Sequence, residues 1–257
     1  SEKVGLVGNG IGYGLSASIG DINNDGWPDV YVCNDYIEHD YLYINNQDGT
    51  FSEMLKESVK HISNFSMGSD IADFDNDGWL DIVTVDMVAE DNYRIKTNMS
   101  GMNPKRFKNA INNGFHYQYM MNTLQKNNGN GSFSEVSQLA GISSTDWSWA
   151  PLFADFDNDG HQDLFISNGI NRRPNGLDFK NYISNTFKQK NEAESLKWLY
   201  ESINKMPSGP VKSVDGKTVA SDSSNSISVN QLQAGIYLYS VLTVSGQIAT
   251  GSFSKIN

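Results

Sequence analysis

Polar and apolar residues alternate along this chain in short runs. Asp29-Val-Tyr-Val-Cys33, Asp81-Ile-Val-Thr-Val85 and Asp163-Leu-Phe-Ile-Ser167 are rich in β-branched and aromatic residues and bounded by Asn, Asp and Gly, so they predict strands. A strand-like run precedes each, over 15–19, 68–72 and 151–154. Two further stretches, 40–53 and 122–135, each read as strand, tight turn, strand. There Asp48-Gly49 and Asn130-Gly131 supply the positive φ angles that a hairpin needs. One unit is therefore strand, polar loop, strand, connection, hairpin. Four-stranded units repeated radially are the blades of a β-propeller. The expected fold class is all-β: a partial β-propeller of four-stranded blades with helical insertions, and a small antiparallel β module at the C-terminal end.

The repeats are unevenly spaced. The opening Ser1-Glu-Lys-Val-Gly5-Leu6 resembles Ser137-Gln-Leu-Ala-Gly141-Ile142, which places the first residues inside a repeat. The second and third polar loops are pushed apart by an aromatic, Met-rich insertion, in which a short helix is predicted near 103–113, opening at Pro104. Packing as a lid on its own blade is the first expectation for this insertion, and a recognition loop the second. The third repeat lacks a hairpin after Asn168-Gly169. A second helical insertion is predicted over 177–206, with Leu196, Leu199, Tyr200 and Ile203 on one face. The domain reading is thus 1–206 for the blades, 207–210 for a Pro/Gly linker, and 211–257 for the small β module.

The polar loops carry the chemistry. Each reads D-x-[DN]-x-D-G-x-x-D: Asp21, Asn23, Asp25, Trp27 and Asp29; Asp73, Asp75, Asp77, Trp79 and Asp81; Asp155, Asp157, Asp159, His161 and Asp163. A hard cation such as Ca²⁺ takes six to eight oxygens on a flexible frame. Positions 1, 3 and 5 offer side-chain oxygens, the Gly at position 6 allows a sharp turn, position 7 offers its backbone carbonyl, and position 9 closes the shell. The EF-hand begins in the same way but needs Glu at position 12 and helices on both sides. Position 12 here is Val32, Thr84 or Ile166, within a strand, so the EF-hand is rejected. About three structural Ca²⁺ ions are expected.

Charge agrees with this. The formal net charge is −11, and the three loops together hold three, four and four Asp, which equals the whole acidic excess. No Lys/Arg stripe is available to neutralise phosphates, so no nucleic-acid partner is expected. The single Cys33 excludes an internal disulfide and reads as a buried structural thiol. No stretch has the length and apolarity of a transmembrane segment. Cytosolic free calcium is too low for loops of ordinary affinity, which points to an extracellular or outer-membrane surface location.

The repeated loop followed by N-N-x-x-G-[TS]-F (Asn45 to Phe51 and Asn127 to Phe133) resembles the FG-GAP/VCBS repeat family. With Gly12-Tyr-Gly-Leu-Ser16 before the first loop and Asn168-Gly-Ile170 after the last, it looks most like bacterial proteins related to cartilage acidic protein. The resemblance implies a propeller of about seven blades, of which three loops are present here. The tail, with Leu232 to Ser240, Ser245-Gly-Gln247 and Lys255, is similar to the sorting domain of the Bacteroidetes type IX secretion system, which implies contact with secretion machinery. The expected function is a calcium-stabilised, secreted or cell-surface module that binds a protein or glycan. The alternative is a calcium-dependent carbohydrate-active enzyme or its accessory domain. His39, His61, His116 and His161 show no metalloprotease spacing and there is no G-x-S-x-G elbow, so no catalytic residue is assigned. Trp147 and Trp149 are candidates for stacking on a sugar, with core packing the competing fate.

Overall fold

The strands form where alternation predicts them, and each polar loop joins two of them. A computed structural model describes residues 2–8, 12–97 and 103–169, together with the backbone of 181, 184, 235–242 and 248–255. In chain order the elements begin with β1 (Tyr13–Gly20), β2 (Asp29–Asp35), β3 (Tyr41–Asn45) and β4 (Phe51–Glu53), then α1 (Leu55–Ser58) and β5 (Ile62–Ser63). They continue with β6 (Gly68–Ala72), β7 (Asp81–Val85), β8 (Met87–Val88), α2 (Asn92–Thr97), α3 (Pro104–Asn112), β9 (Gln118–Tyr119), β10 (Thr123–Asn127) and β11 (Phe133–Glu135). Last come β12 (Asp146–Ala154), β13 (Asp163–Asn168), β14 (Gly235–Leu242) and β15 (Ile248–Lys255).

These strands make a mostly antiparallel, all-β structure with few helices. The first sheet is the meander β1-β2-β3-β4 and the second is β6-β7-β10-β11, both antiparallel throughout. In the third, β12 and β13 pair in the same way, and β15 adds to the free edge of β13 with β14 outside it. The backbone of the tail therefore supplies the two strands at one edge of the third sheet, and β8 pairs with β12 at the other. The sequence order of the two tail strands is reversed relative to β3-β4 and β10-β11. The helical insertion predicted over 177–206, with its Leu196 to Ile203 face, and the linker at 207–210 lie outside the described residues.

Side-chain alternation explains how the sheets stack. Along β7, Ile82 joins one core with Tyr31, Cys33 and Leu42 of the first sheet, while Val83 and Val85 join another with Phe153, Leu164 and Ile166 of the third. Successive residues of a strand point to opposite faces. A sheet covered on both sides must therefore be apolar at consecutive positions, and every residue of β7 is buried. Cys33 sits in the first of these cores, where burial pushes its thiol well up from the ordinary range. Close approach is possible because the facing residues are small. Ser18 of β1 bonds the Ser69 hydroxyl of β6 at 2.8 Å, and a Cβ on Gly68 would fall 2.4 Å from the Trp149 carbonyl oxygen of β12.

The insertion after β7 is anchored to its surroundings. Asn103 caps α3 by accepting from the backbone N–H of Lys105 and Arg106, with Pro104 in the first turn, as the sequence predicts. Phe107 of α3 lies 5.4 Å from the Tyr119 ring, and β9 pairs in parallel with β5. Arg94 of α2 is buried and forms ion pairs with Asp91 and Asp146, fastening α2 to the start of β12. No helix among the described residues is long and apolar enough to cross a membrane.

Candidate metal-binding loops

The three loops repeat one hydrogen-bonding scheme. At position 1, Asp21, Asp73 and Asp155 each accept from two backbone N–H groups, those of positions 5 and 6, at 2.8–3.0 Å. At position 5, Asp25, Asp77 and Asp159 each accept from the N–H of position 7, at 2.9–3.0 Å. Such turns require positive φ at two places. Gly26, Gly78 and Gly160 at position 6 have φ of 87°, 88° and 88°; Asn24, Asn76 and Asn158 at position 4 have 56°, 59° and 58°. Asn is the side chain other than Gly that tolerates this region best.

Position 9 has a second task besides the expected closure of a metal shell. Asp29 and Asp81 are fully buried, and each carboxylate clamps two separated pieces of backbone. Asp29 accepts from Ile22 N–H at 2.9 Å and Asn45 N–H at 2.8 Å; Asp81 accepts from Phe74 N–H at 3.1 Å and Asn127 N–H at 2.7 Å. Asp163 likewise accepts from Phe156 N–H at 3.0 Å. The loop is thereby tied to its strand and, in the first two sheets, to the hairpin beyond it.

Burial and hydrogen bonding divide the carboxylates electrostatically. Burial raises Asp29, and carries Asp81 up to about 7 despite the two N–H donors. The exposed position-5 groups go the other way: Asp25 is lowered chiefly by the Asn23 amide and Asp77 chiefly by the Trp79 N–H. Each of these loops joins an anionic outer rim to a carboxylate that resists ionisation. A cation among them favours the ionised form of both.

The oxygens converge as a metal shell demands in two of the three loops. One ligand atom each from Asp73, Asp75 and Asp81 lies within 4.8 Å of the others, and the same holds for Asp155, Asp157 and Asp159. Two oxygens about 2.3–2.6 Å from one Ca²⁺ are at most about 5 Å apart, so both trios fit a single such ion. In the first loop Asn23 replaces the acid at position 3 and donates to Asp25 at 3.0 Å. Its three acids do not form such a trio among the described residues. At position 7, Trp27 and His161 are exposed and Trp79 is half-buried. Trp147 is half-buried and Trp149 exposed.

Two kinds of residue escaped the sequence reading. The Asn at position 4 reaches into the next loop: Asn24 Nδ2 donates to the Gly78 carbonyl at 2.9 Å, and Asn76 Nδ2 to the Gly160 carbonyl at 3.1 Å. Its recurrence in all three loops is the signal in the sequence. The other is Lys126, whose ammonium contacts Asp75 and lies 3.2 Å from Asp77 Oδ2. It stands far along the chain on β10, and no local pattern points to it.

An FG-GAP-like repeat family profile matches residues 21–84 and 112–166. The first span holds the first two loops and the second holds the third, while most of the insertion and everything after Ile166 fall outside. No curated protein matches the chain.

Proposed function

We propose that FG-GAP-like repeats in this chain build calcium-stabilised β-propeller blades of a secreted or cell-surface protein, used to bind a protein or glycan and not to catalyse a reaction. FG-GAP repeats are often extracellular adhesion or binding modules. The observation that carries the reading is the threefold recurrence of one loop geometry, with oxygen-only trios at Asp73, Asp75, Asp81 and at Asp155, Asp157, Asp159. Calcium is favoured over smaller cations because several carboxylates on a flexible turn suit a larger, irregular shell. In this reading the ion is structural. It joins carboxylates that would otherwise repel and fixes the turn between the first two strands of each blade. The exposed Trp149 offers a ring for an apolar sugar face. Residues 211–257 are read as a surface-sorting segment on the resemblance of their sequence alone; deleting them should abolish surface display in a type IX-competent host.

The test is thermal unfolding in excess EDTA and in millimolar CaCl₂, with bound metal counted on the same sample. Metal that binds only the native state stabilises it by RT ln(1 + [L]/Kd), about 2.7 kcal/mol per site at a hundredfold excess over Kd. A calcium-specific rise in midpoint with bound ions is expected. An unchanged midpoint with no metal bound refutes the structural-calcium reading.

A further inference from the structure

The second loop differs from the first by one cation already in place. The pairings Val30↔Tyr43 in the first sheet and Ile82↔Gln125 in the second put Ile44 and Lys126 at the same register step, beside Asp29 and Asp81 respectively. In the first sheet that position is apolar. In the second it carries an ammonium that contacts Asp75 and, at 3.2 Å, Asp77. These are positions 3 and 5 of the loop, two of the oxygens a bound ion would need.

The converging acids also differ between the loops. In the third loop the trio is made by positions 1, 3 and 5; in the second it is made by positions 1, 3 and 9. The missing member is Asp77, which Lys126 engages. The first loop reaches a related state by other means. Asn23 stands at position 3, and Asp25 Oδ2 accepts from Asn23 Nδ2 at 3.0 Å and from Gln47 Nε2 at 3.1 Å. The second loop keeps Asp at position 3 and counters it with a side chain from the hairpin.

We propose that Lys126 is a tethered counter-cation that competes with Ca²⁺ for Asp75 and Asp77, so that the second loop binds calcium more weakly than its carboxylates alone would. This rests on the calcium reading above. A divalent ion and an ammonium cannot share the same two oxygens at close range without strong repulsion, so filling the loop requires Lys126 to leave. It has room to do so. Its side chain is a third exposed, on a flexible four-carbon stem. Holding these acids with lysine also keeps the loop folded when calcium is scarce, because the ammonium partly satisfies the charge that the ion would otherwise balance. Ligand charge count is a means by which calcium sites of similar geometry are set to different affinities.

The experiment is calorimetric titration of CaCl₂ into the full chain and into its Lys126→Met, Lys126→Gln and Lys126→Arg variants, with Asp75→Asn identifying the heat of the second loop. Met and Gln keep the stem without the charge, and Arg keeps the charge. The expected result is that the Asp75-dependent site tightens roughly tenfold in the Met and Gln variants and stays near wild type in Arg. Calcium binding with an Asp75-dependent dissociation constant that moves less than about twofold on removal of the charge overturns the inference and leaves the calcium reading intact. Absence of calcium binding in every form, with the fold intact by circular dichroism, overturns that reading and this one with it.

Discussion

Replacing Asp81 by Ala should destabilise the protein even with no metal present, and much more than replacing Asp75. Asp81 is fully buried and holds Phe74 N–H at 3.1 Å and Asn127 N–H at 2.7 Å. Alanine orphans both. A buried donor left without a partner costs about 1–3 kcal/mol, so two give roughly 2–6. Removing a carboxylate that burial has raised to about 7 returns part of this at neutral pH, and a net loss of about 3 kcal/mol is expected. Asp75 is exposed and its ion pair is with Lys126, a contact of a kind worth about 0–1 kcal/mol. Urea unfolding in EDTA measures both changes. In calcium both variants should lose the ion-dependent increment, so the contrast belongs to the metal-free state alone. Equal losses for Asp75→Ala and Asp81→Ala in EDTA would refute the claim that position 9 clamps the backbone independently of the ion.

Two further outcomes follow from the buried acids and the inter-loop contacts. Asp86 is fully buried and accepts from the Ser63 hydroxyl and the N–H groups of Asn64, Phe65 and Met87, yet burial raises it to about 7. The folded form then holds its proton more tightly than the unfolded chain, whose Asp titrates near ~3.9. Its contribution to stability is complete below that value and falls as pH rises toward 7, by at most about 1.4 kcal/mol per pH unit. His39, which burial depresses to about 4, acts oppositely below its ordinary value near ~6.5. The diagnostic is therefore the difference between wild type and Asp86→Asn: the variant's metal-free stability should fall less steeply between pH 4 and 7, and parallel profiles would contradict the assignment. For the inter-loop contacts, Asn24→Ala and Asn76→Ala should each cost about 0.5–1.5 kcal/mol in calcium. The pair together should also broaden the calcium-binding isotherm, whereas an isotherm of unchanged shape would mean that the loops fill independently.

The strands and hairpins were legible because their signals are local. Period-two alternation and Asp-Gly or Asn-Gly turns act within a few residues, and β1–β4, β6, β7 and β10–β13 lie where those signals put them. The parallel contact of β5 with β9 was not legible, since two-residue strands carry no periodicity and their partners lie far apart in sequence. The pairing of β15 with β13 is of the same kind: an edge strand accepts any extended partner, and alternation does not say which one. At the loops, spacing predicted a shared sharp turn, and the positive φ at Gly26, Gly78 and Gly160 recurs in all three. The burial of Asp29 and Asp81 depends on the hairpin folding over them, and the reach of Lys126 on an adjacent strand. Neither is a property of nine consecutive residues.

The asparagine contacts also bear on how such a molecule can grow. The position-4 Asn of one loop donates to the position-6 carbonyl of the next, as Asn24 does to Gly78 and Asn76 to Gly160. The joint is head-to-tail, with both halves written into every unit. A tandem copy of the gene segment would arrive with its half of this joint already made, beside the apolar sheet face that stacking also needs. Lengthening the array by duplication then supplies the loop joint and the sheet face in one step.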